Sequence, residues 1–360
     1  MAPLDGALYR FQHRSLAVST SIAYRFWAFL LRPGAATLEG KTVRELVTRF
    51  EALLERDLDN VRRGYYSRAL LYQLPLAGYA LTIPEGVVEA GRILWRRYRN
   101  HFDDVPRAEA DGYPSYYLRN FHWQSDGWLS ERSARLYDPS VEFLFGGVAD
   151  VMRRMALPPV VEAIRDFAKP RVLDVGCGTG RFFLQLAQTV PQAQLYGIEL
   201  SPYYARHAAK LLAGRDVTIV TERAESMPWA DASFDAVTSV FLFHELPPKV
   251  RRAVVREMRR VVRVGGRVVI CDSAQLADSA EIKDALLAFP EAYHEPFYRG
   301  YLRDDLAELL DECGLTVESV EPHLVAKVVV ARREARGRRG NGAARIRRPR
   351  EKERARRSRA

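Results

Sequence analysis

The stretch Arg171–Arg181, RVLDVGCGTGR, decides the fold. Arg171 to Val175 is a short, largely apolar run of the length that a strand buried on both faces needs. Gly176, Gly178 and Gly180 then end it in a tight turn. Phe182 to Val190 (FFLQLAQTV) resumes with apolar residues at helical spacing, so the glycines lie between a strand end and a helix start. Glycine tolerates positive φ and lets the backbone approach a ligand closely, while unpaired amides at the helix start favour a negatively charged group. This is a nucleotide-binding arrangement. A dinucleotide fingerprint, GxGxxG, would need glycine at position 181, which is arginine; the chain reads GxGxG behind the acidic Asp174. A second strand, Gln194 to Ile198 (QLYGI), ends in Glu199, where a carboxylate can accept hydrogen bonds from both ribose hydroxyls.

Further blocks follow in order: Ala224 and Glu225 with Met227, Pro228 and Trp229, the run DASFD (Asp231 to Asp235), HEL (His244 to Leu246) and RVVRVGGRVVI (Arg260 to Ile270). Together with the glycine turn and Glu199, this series resembles the class I S-adenosylmethionine-dependent methyltransferases, closest to the small-molecule branch that includes ubiquinone and menaquinone methyltransferases. The resemblance runs from about residue 130 to 331. It implies a Rossmann-like α/β fold with a seven-stranded, mostly parallel sheet whose last strand is antiparallel. The alternation of strand and helix points the same way. Strands are expected near 171–175, 194–199, 216–220, 235–241, 267–272, 316–321 and 324–331. Only Pro322 and His323 separate the last two, a connection too short for a crossover, so they should pair antiparallel.

By the same resemblance S-adenosyl-L-methionine is the methyl donor and no metal is required. Asp174, Gly176, Gly178 and Gly180 surround its methionine moiety and the turn, Glu199 holds the ribose, and Ala224 meets the adenine through its backbone. Many relatives carry Asp or Asn before that alanine, where this chain has Arg223, which cannot accept a hydrogen bond from the adenine amino group; Glu225 or a backbone carbonyl is the candidate substitute. SARLYDPSVEFLF (Ser133 to Phe145) resembles the segment that folds over the cofactor in this family, making Tyr137 a candidate lid contact. In FLFHELPP (Phe241 to Pro248), at the carboxyl end of the fourth strand, Phe241 is expected to pack on the cofactor. His244 is the candidate general base, its ordinary pKa lying near neutrality. The segment Phe289 to Leu302, with His294, Glu295, Tyr298 and Tyr301, corresponds to an insert that often closes the substrate pocket.

Before this domain the chain is helical. Leu38 to Asn60 places Val43, Leu46, Val47, Phe50, Leu53, Leu54 and Leu58 on one face. Ser15 to Pro33 reads as a shorter helix packed on the body, and Pro84 to Tyr98 starts with proline and glutamate, as first turns do. Asp103 to Ser115 (DDVPRAEADGYPS) is polar and broken by proline and glycine, hence a linker. The aromatic run Tyr116, Tyr117, Phe121, His122, Trp123 and Trp128 suits either an acceptor pocket or the core of a domain junction. In the helix Pro247 to Val262, Arg251, Arg252, Arg256, Arg259 and Arg260 are expected to face water. The organisation is thus a helical region over 1–115, the methyltransferase domain over 116–331, and a tail over 332–360.

Formal charge is +10 over 360 residues, yet Arg332 to Ala360 holds fourteen Lys or Arg against three Glu, which leaves residues 1–331 at −1. Any attachment to nucleic acid or an anionic surface is therefore a property of this tail, which is too charged and too poor in apolar residues to fold. Cys177, Cys271 and Cys313 form no CxxC pair or metal spacing, which suits a reducing cytoplasm. No stretch reads as a membrane span or an export signal. The expected function is methyl transfer to a small, partly apolar or aromatic acceptor. The alternatives are a nucleic-acid or protein methyltransferase docked by its tail, and a binding protein that retains the cofactor without turnover.

Overall fold

Seven strands, β1 (Arg171–Val175), β2 (Gln194–Ile198), β3 (Val217–Val220), β4 (Phe234–Val240), β5 (Val262–Ser273), β6 (Thr316–His323) and β7 (Ala326–Arg332), form one sheet in the order β3-β2-β1-β4-β5-β7-β6. The computed structural model describes residues 3–31, 38–102, 105 and 112–335. Strands β1 to β5 pair in parallel, whereas β7 runs antiparallel between β5 and β6. Strand order reverses between β1 and β4, and open sheets of this kind bind ligands beyond the carboxyl ends at that reversal.

Val172, Leu173 and Val175 of β1 are fully buried, as a central strand covered on both faces requires. The last hairpin turns at Leu324 and Val325, with Leu324 at φ 58°, and not at Pro322 and His323 as expected. Both of those residues belong to β6, an edge strand, where proline removes no shared ladder hydrogen bond. Strand β5 also begins earlier than expected, since it continues directly from the preceding helix at Val262.

Helices fill the crossovers: α1 (Pro3–Leu31), α2 (Gly40–Arg62), α3 (Leu76–Leu81), α4 (Ile83–Arg99), α5 (Glu131–Leu144), α6 (Ala149–Arg154) and α7 (Leu157–Ile164) precede β1. After it come α8 (Arg181–Thr189), α9 (Pro202–Leu211), α10 (Pro248–Val261), α11 (Lys283–Ala292), α12 (Tyr298–Arg303) and α13 (Leu306–Glu312). In α10, Val254, Val255, Met258 and Val261 are buried as the 3.6-residue period demands. Arg251 departs from its expected place in water. It is 1% exposed, its Nε donates to the Leu246 carbonyl at 2.9 Å, and its guanidinium pairs with Asp304 and stacks 5.6 Å from the Tyr301 ring centroid. One turn into the helix, it closes the gap between the preceding loop and α12.

The helices before β1 are tied to the sheet domain by a buried polar centre. The Asp57 carboxylate of α2 accepts hydrogen bonds from Tyr9 Oη and Tyr66 Oη, each at 2.5 Å, and from Arg154 of α6 at 3.0 and 2.5 Å. Arg49 adds a link, its Nη1 donating to Ser279 Oγ at 3.0 Å and to the Leu324 carbonyl at 3.3 Å. Most of the expected 103–115 linker, namely 103–104 and 106–111, lies outside the described residues. At the other end the expected tail starts too early: Arg332 completes β7, and Arg333 donates from its backbone to Gly266 O at 3.1 Å and from its side chain to Arg260 O and Val262 O. The rest of that segment, 336–360, lies outside the described residues.

Candidate active site

A cavity of about 90 Å³ lies beyond the carboxyl ends of β1, β2 and β4. Of the cofactor contacts expected from the sequence, Tyr137, Asp174, Gly176, Gly178, Glu199 and Phe241 line it, and Tyr117 and Trp128 of the aromatic run join them. Its floor is the glycine turn, with Gly176 at φ 69° and Gly178 at φ 54°. A side chain at Gly176 would meet Leu242 at 3.0 Å, while Gly178 faces open space, so the turn presents bare backbone to the cavity. The Glu199 carboxylate is held at both oxygens, by the Gly178 amide at 3.0 Å and the Ser201 amide at 2.9 Å. Burial raises its pKa and these amides oppose the rise. Two lone-pair directions remain for a diol.

Asp174 is 1% exposed and accepts a hydrogen bond from Thr238 Oγ1 at 2.7 Å. Burial pushes its carboxyl up to about 7, with the Thr238 hydroxyl opposing and Glu199 adding to the rise. Cations stand across the cavity. Arg153 of α6 lies 2.8 Å from Asp150, Arg181 pairs with the same carboxylate, and both guanidinium groups line the wall. Burial alone would raise Asp150, but these two arginines hold it down at about 2. The wall thus offers an acid and a diol acceptor, with two arginines beside them that are paired to Asp150.

Phe241 directly follows β4 in the left-handed region at φ 56°, its amide donating to Cys271 O at 2.8 Å and its ring stacked on Phe145 at 6.1 Å. A bulky residue in that conformation is strained, and such strain collects at functional sites. Overhead, Tyr137 of α5, Trp128 and Tyr204 of α9 meet edge to face with ring centroids 5.5–5.7 Å apart. Ligand pockets run to about 300–1,000 Å³. At about 90 Å³ this cavity is smaller than that range.

Other residues singled out in the sequence stand behind the wall. Gly180, at φ 81°, caps α8, and a side chain there would meet Ala208 at 3.0 Å, so its work is helix packing. Ala224 is half-buried and packs against the apolar cluster that includes Leu173 and Ile198. Glu225 accepts the Tyr116 hydroxyl at 3.0 Å, and Arg223 donates to Gly112 O at 2.6 Å. His244 is buried, its Nδ1 2.7 Å from Asp272. Burial works against its charged form, yet Asp272 outweighs that and raises its pKa. Tyr298 and Tyr301 spend their hydroxyls on Ser273, the former meeting Oγ at 2.6 Å and the latter donating to the carbonyl at 2.7 Å. The sequence reading missed Arg153, Arg181 and Glu245 as wall residues. Arg181 alone carried a signal, since it follows the last glycine directly.

The fold, the glycine turn and the acid after β2 define a class of nucleotide-using transferase domain, and residues 172–266 match the family described as a methyltransferase domain. Residues 172–266 are thus a methyltransferase domain, and over part of its length the chain is similar to quinone methyltransferases. Over 105 residues it is 36% identical to a demethylmenaquinone methyltransferase of Roseiflexus castenholzii, covering 29% of this chain and 43% of that one. Over 203 residues it is 28% identical to a demethylmenaquinone methyltransferase of Geobacillus kaustophilus, covering 48% and 79%. The chain thus spans less than half the length of the first of these relatives. A solved methyltransferase structure from Methanosarcina mazei is 20% identical, covers 49% of this chain and 97% of that one, and has a TM-score of 0.40.

Proposed function

We propose that the protein transfers a methyl group from S-adenosyl-L-methionine to a small, partly apolar or aromatic acceptor. The observation that carries this reading is the pairing of Glu199, braced by two amides, with the bare glycine turn below an aromatic roof. When bound, the donor supplies a sulfonium methyl, which passes to the acceptor's lone pair while the C–S bonding electrons return to sulfur. The protein's tasks are alignment and exclusion of water. Asp174 holds the donor's ammonium, Arg153 and Arg181 its carboxylate, Glu199 its ribose, and Phe241 packs beside it. The acceptor enters beneath Tyr117, Trp128 and Tyr137, whose rings favour an apolar or aromatic molecule. Similarity to quinone methyltransferases supports the same class.

Incubation with methyl-labelled donor and fractionated cell extract tests the acceptor class. Label is expected in the small-molecule fraction; label confined to RNA or protein would overturn the reading, and none in any fraction would favour binding without turnover. A second prediction concerns pH. With its carboxyl near 7, Asp174 is mostly protonated in mildly acidic solution, whereas holding an ammonium requires the ionised form. Affinity for S-adenosylhomocysteine is therefore expected to rise about tenfold between about pH 6 and 8, then level off. Calorimetry across that range checks it, and a flat profile would remove Asp174 from the ammonium site.

A further inference from the structure

Against the inner wall of the cavity, side chains from three separate segments converge. His122 Nε2 lies 2.5 Å from Glu295 Oε1 and 3.8 Å from Glu245 Oε1, and His244 Nε2 lies 3.9 Å from that same Glu245 oxygen. One donor atom each from His122, Glu245 and Glu295 falls within 4.8 Å of the others. Glu295 is 4% exposed, and neither of its carboxylate oxygens makes a hydrogen bond. Its close partner is the His122 ring, whose Nε2 approaches at too oblique an angle for a hydrogen bond. A buried carboxylate without donors is costly, and buried charges are paired by hydrogen bonds or coordinate metals.

The backbone is arranged to bring these groups together. His122 sits in the left-handed region at φ 55°, and its amide donates to His294 O at 3.1 Å, which pins it beside Glu295. His244 and Glu245 lie on a 3-10 turn just after β4, so Glu245 reaches both the cluster and the cavity. The other ring nitrogen of His244 is held by Asp272, whose carboxylate also accepts the Leu242 and Phe243 amides at 3.0 and 2.7 Å. Asp272 thereby anchors the turn that carries Glu245.

We propose that His122, Glu245 and Glu295 bind one divalent first-row transition-metal ion, with His244 beside the site. Imidazole and carboxylate donors without thiolate suit zinc, manganese or iron(II) better than calcium or magnesium. Metal–ligand bonds of about 2.0–2.2 Å separate neighbouring donors by about 3–4 Å. The 3.8 Å spacing of His122 and Glu245 already matches, and an ion would part His122 and Glu295 by about 1 Å. The site departs from the metal-free expectation drawn from the sequence. Its use rests on the proposed methyl transfer: an ion at Glu245 would favour an acceptor with an ionisable oxygen, such as a phenol or enol, and lower that oxygen's pKa.

The full chain, stripped with a chelator and dialysed, should be titrated with manganese or zinc alone, following heat and melting temperature. One ion per chain and a raised melting temperature are expected. Glu295→Gln keeps the shape of the side chain and should weaken binding by at least about tenfold to a hundredfold, a loss that even outer partners of a metal command. Its metal-free melting should match that of the stripped wild type. No saturable binding near one equivalent to the wild type, or unchanged affinity in Glu295→Gln, would overturn the site. S-adenosylhomocysteine titrated into the same samples separates the two claims: its binding without metal binding defeats only the metal site, and metal binding without it defeats only the methyl-transfer reading.

Discussion

Replacing Asp57 by alanine is expected to destabilise the protein by about 3–5 kcal/mol, the cost of leaving a buried charge without its partner. Arg154 would keep its guanidinium in a site where Asp57 alone among its neighbours supplies both hydrogen-bond acceptors shown for it, and Tyr9 and Tyr66 would each lose an acceptor. At about 2–4 °C per kcal/mol for a chain of this size, the melting temperature should fall by roughly 10 °C. The effect also has a pH signature. Burial would raise the Asp57 pKa, but Arg154 and the tyrosine hydroxyls bring it below its ordinary value. Its contribution is therefore complete above the unfolded carboxyl pKa of about 3.9 and disappears as pH falls through the lower folded value. Melting of wild type and Asp57→Ala at neutral pH and in acid checks both parts. Equal melting temperatures at neutral pH would show that the centre joining α1, α2 and α6 contributes nothing.

The second large effect belongs to the ligand. Glu199→Ala should weaken S-adenosylhomocysteine binding by about tenfold to a hundredfold, since hydrogen bonds to a charged group are worth roughly 1.5–3 kcal/mol. The Gly178 and Ser201 amides would lose their acceptor too, which loosens the glycine turn. A melting temperature close to wild type with reduced affinity would assign the loss to the ligand contact. Affinity unchanged from wild type would place the ribose elsewhere.

What the sequence made legible is what lies close along the chain. The glycine turn and Glu199 are separated by one helix and one strand, and β1 pairs with β2 in register from Arg171 and Gln194 to Val175 and Ile198, so their meeting follows from the βαβ unit alone. Tyr137 was recognisable because its segment resembles a known lid. The His122, Glu245 and Glu295 cluster was not legible, since each residue comes from a different loop and none stands at metal-ligand spacing from another. His122 was hidden in an aromatic run, and its role depends on a left-handed backbone that no residue type announces. Arg251 misled for a related reason: periodicity placed it beside other arginines, while the Leu246 carbonyl and Asp304 that bury it are set by tertiary packing. Arg153 carried no signal until α6 was seen to lie wholly within the core.

The central claim is that the cavity above the glycine turn is an S-adenosylmethionine site closed by an aromatic roof. Titration of S-adenosylhomocysteine into the full-length wild-type protein by calorimetry tests it most directly, with NAD titrated in parallel. The account predicts saturable binding of one S-adenosylhomocysteine per chain, weakened in Glu199→Ala, and no binding of NAD. Saturable NAD binding, or no heat from S-adenosylhomocysteine with a protein that melts cooperatively, would contradict it.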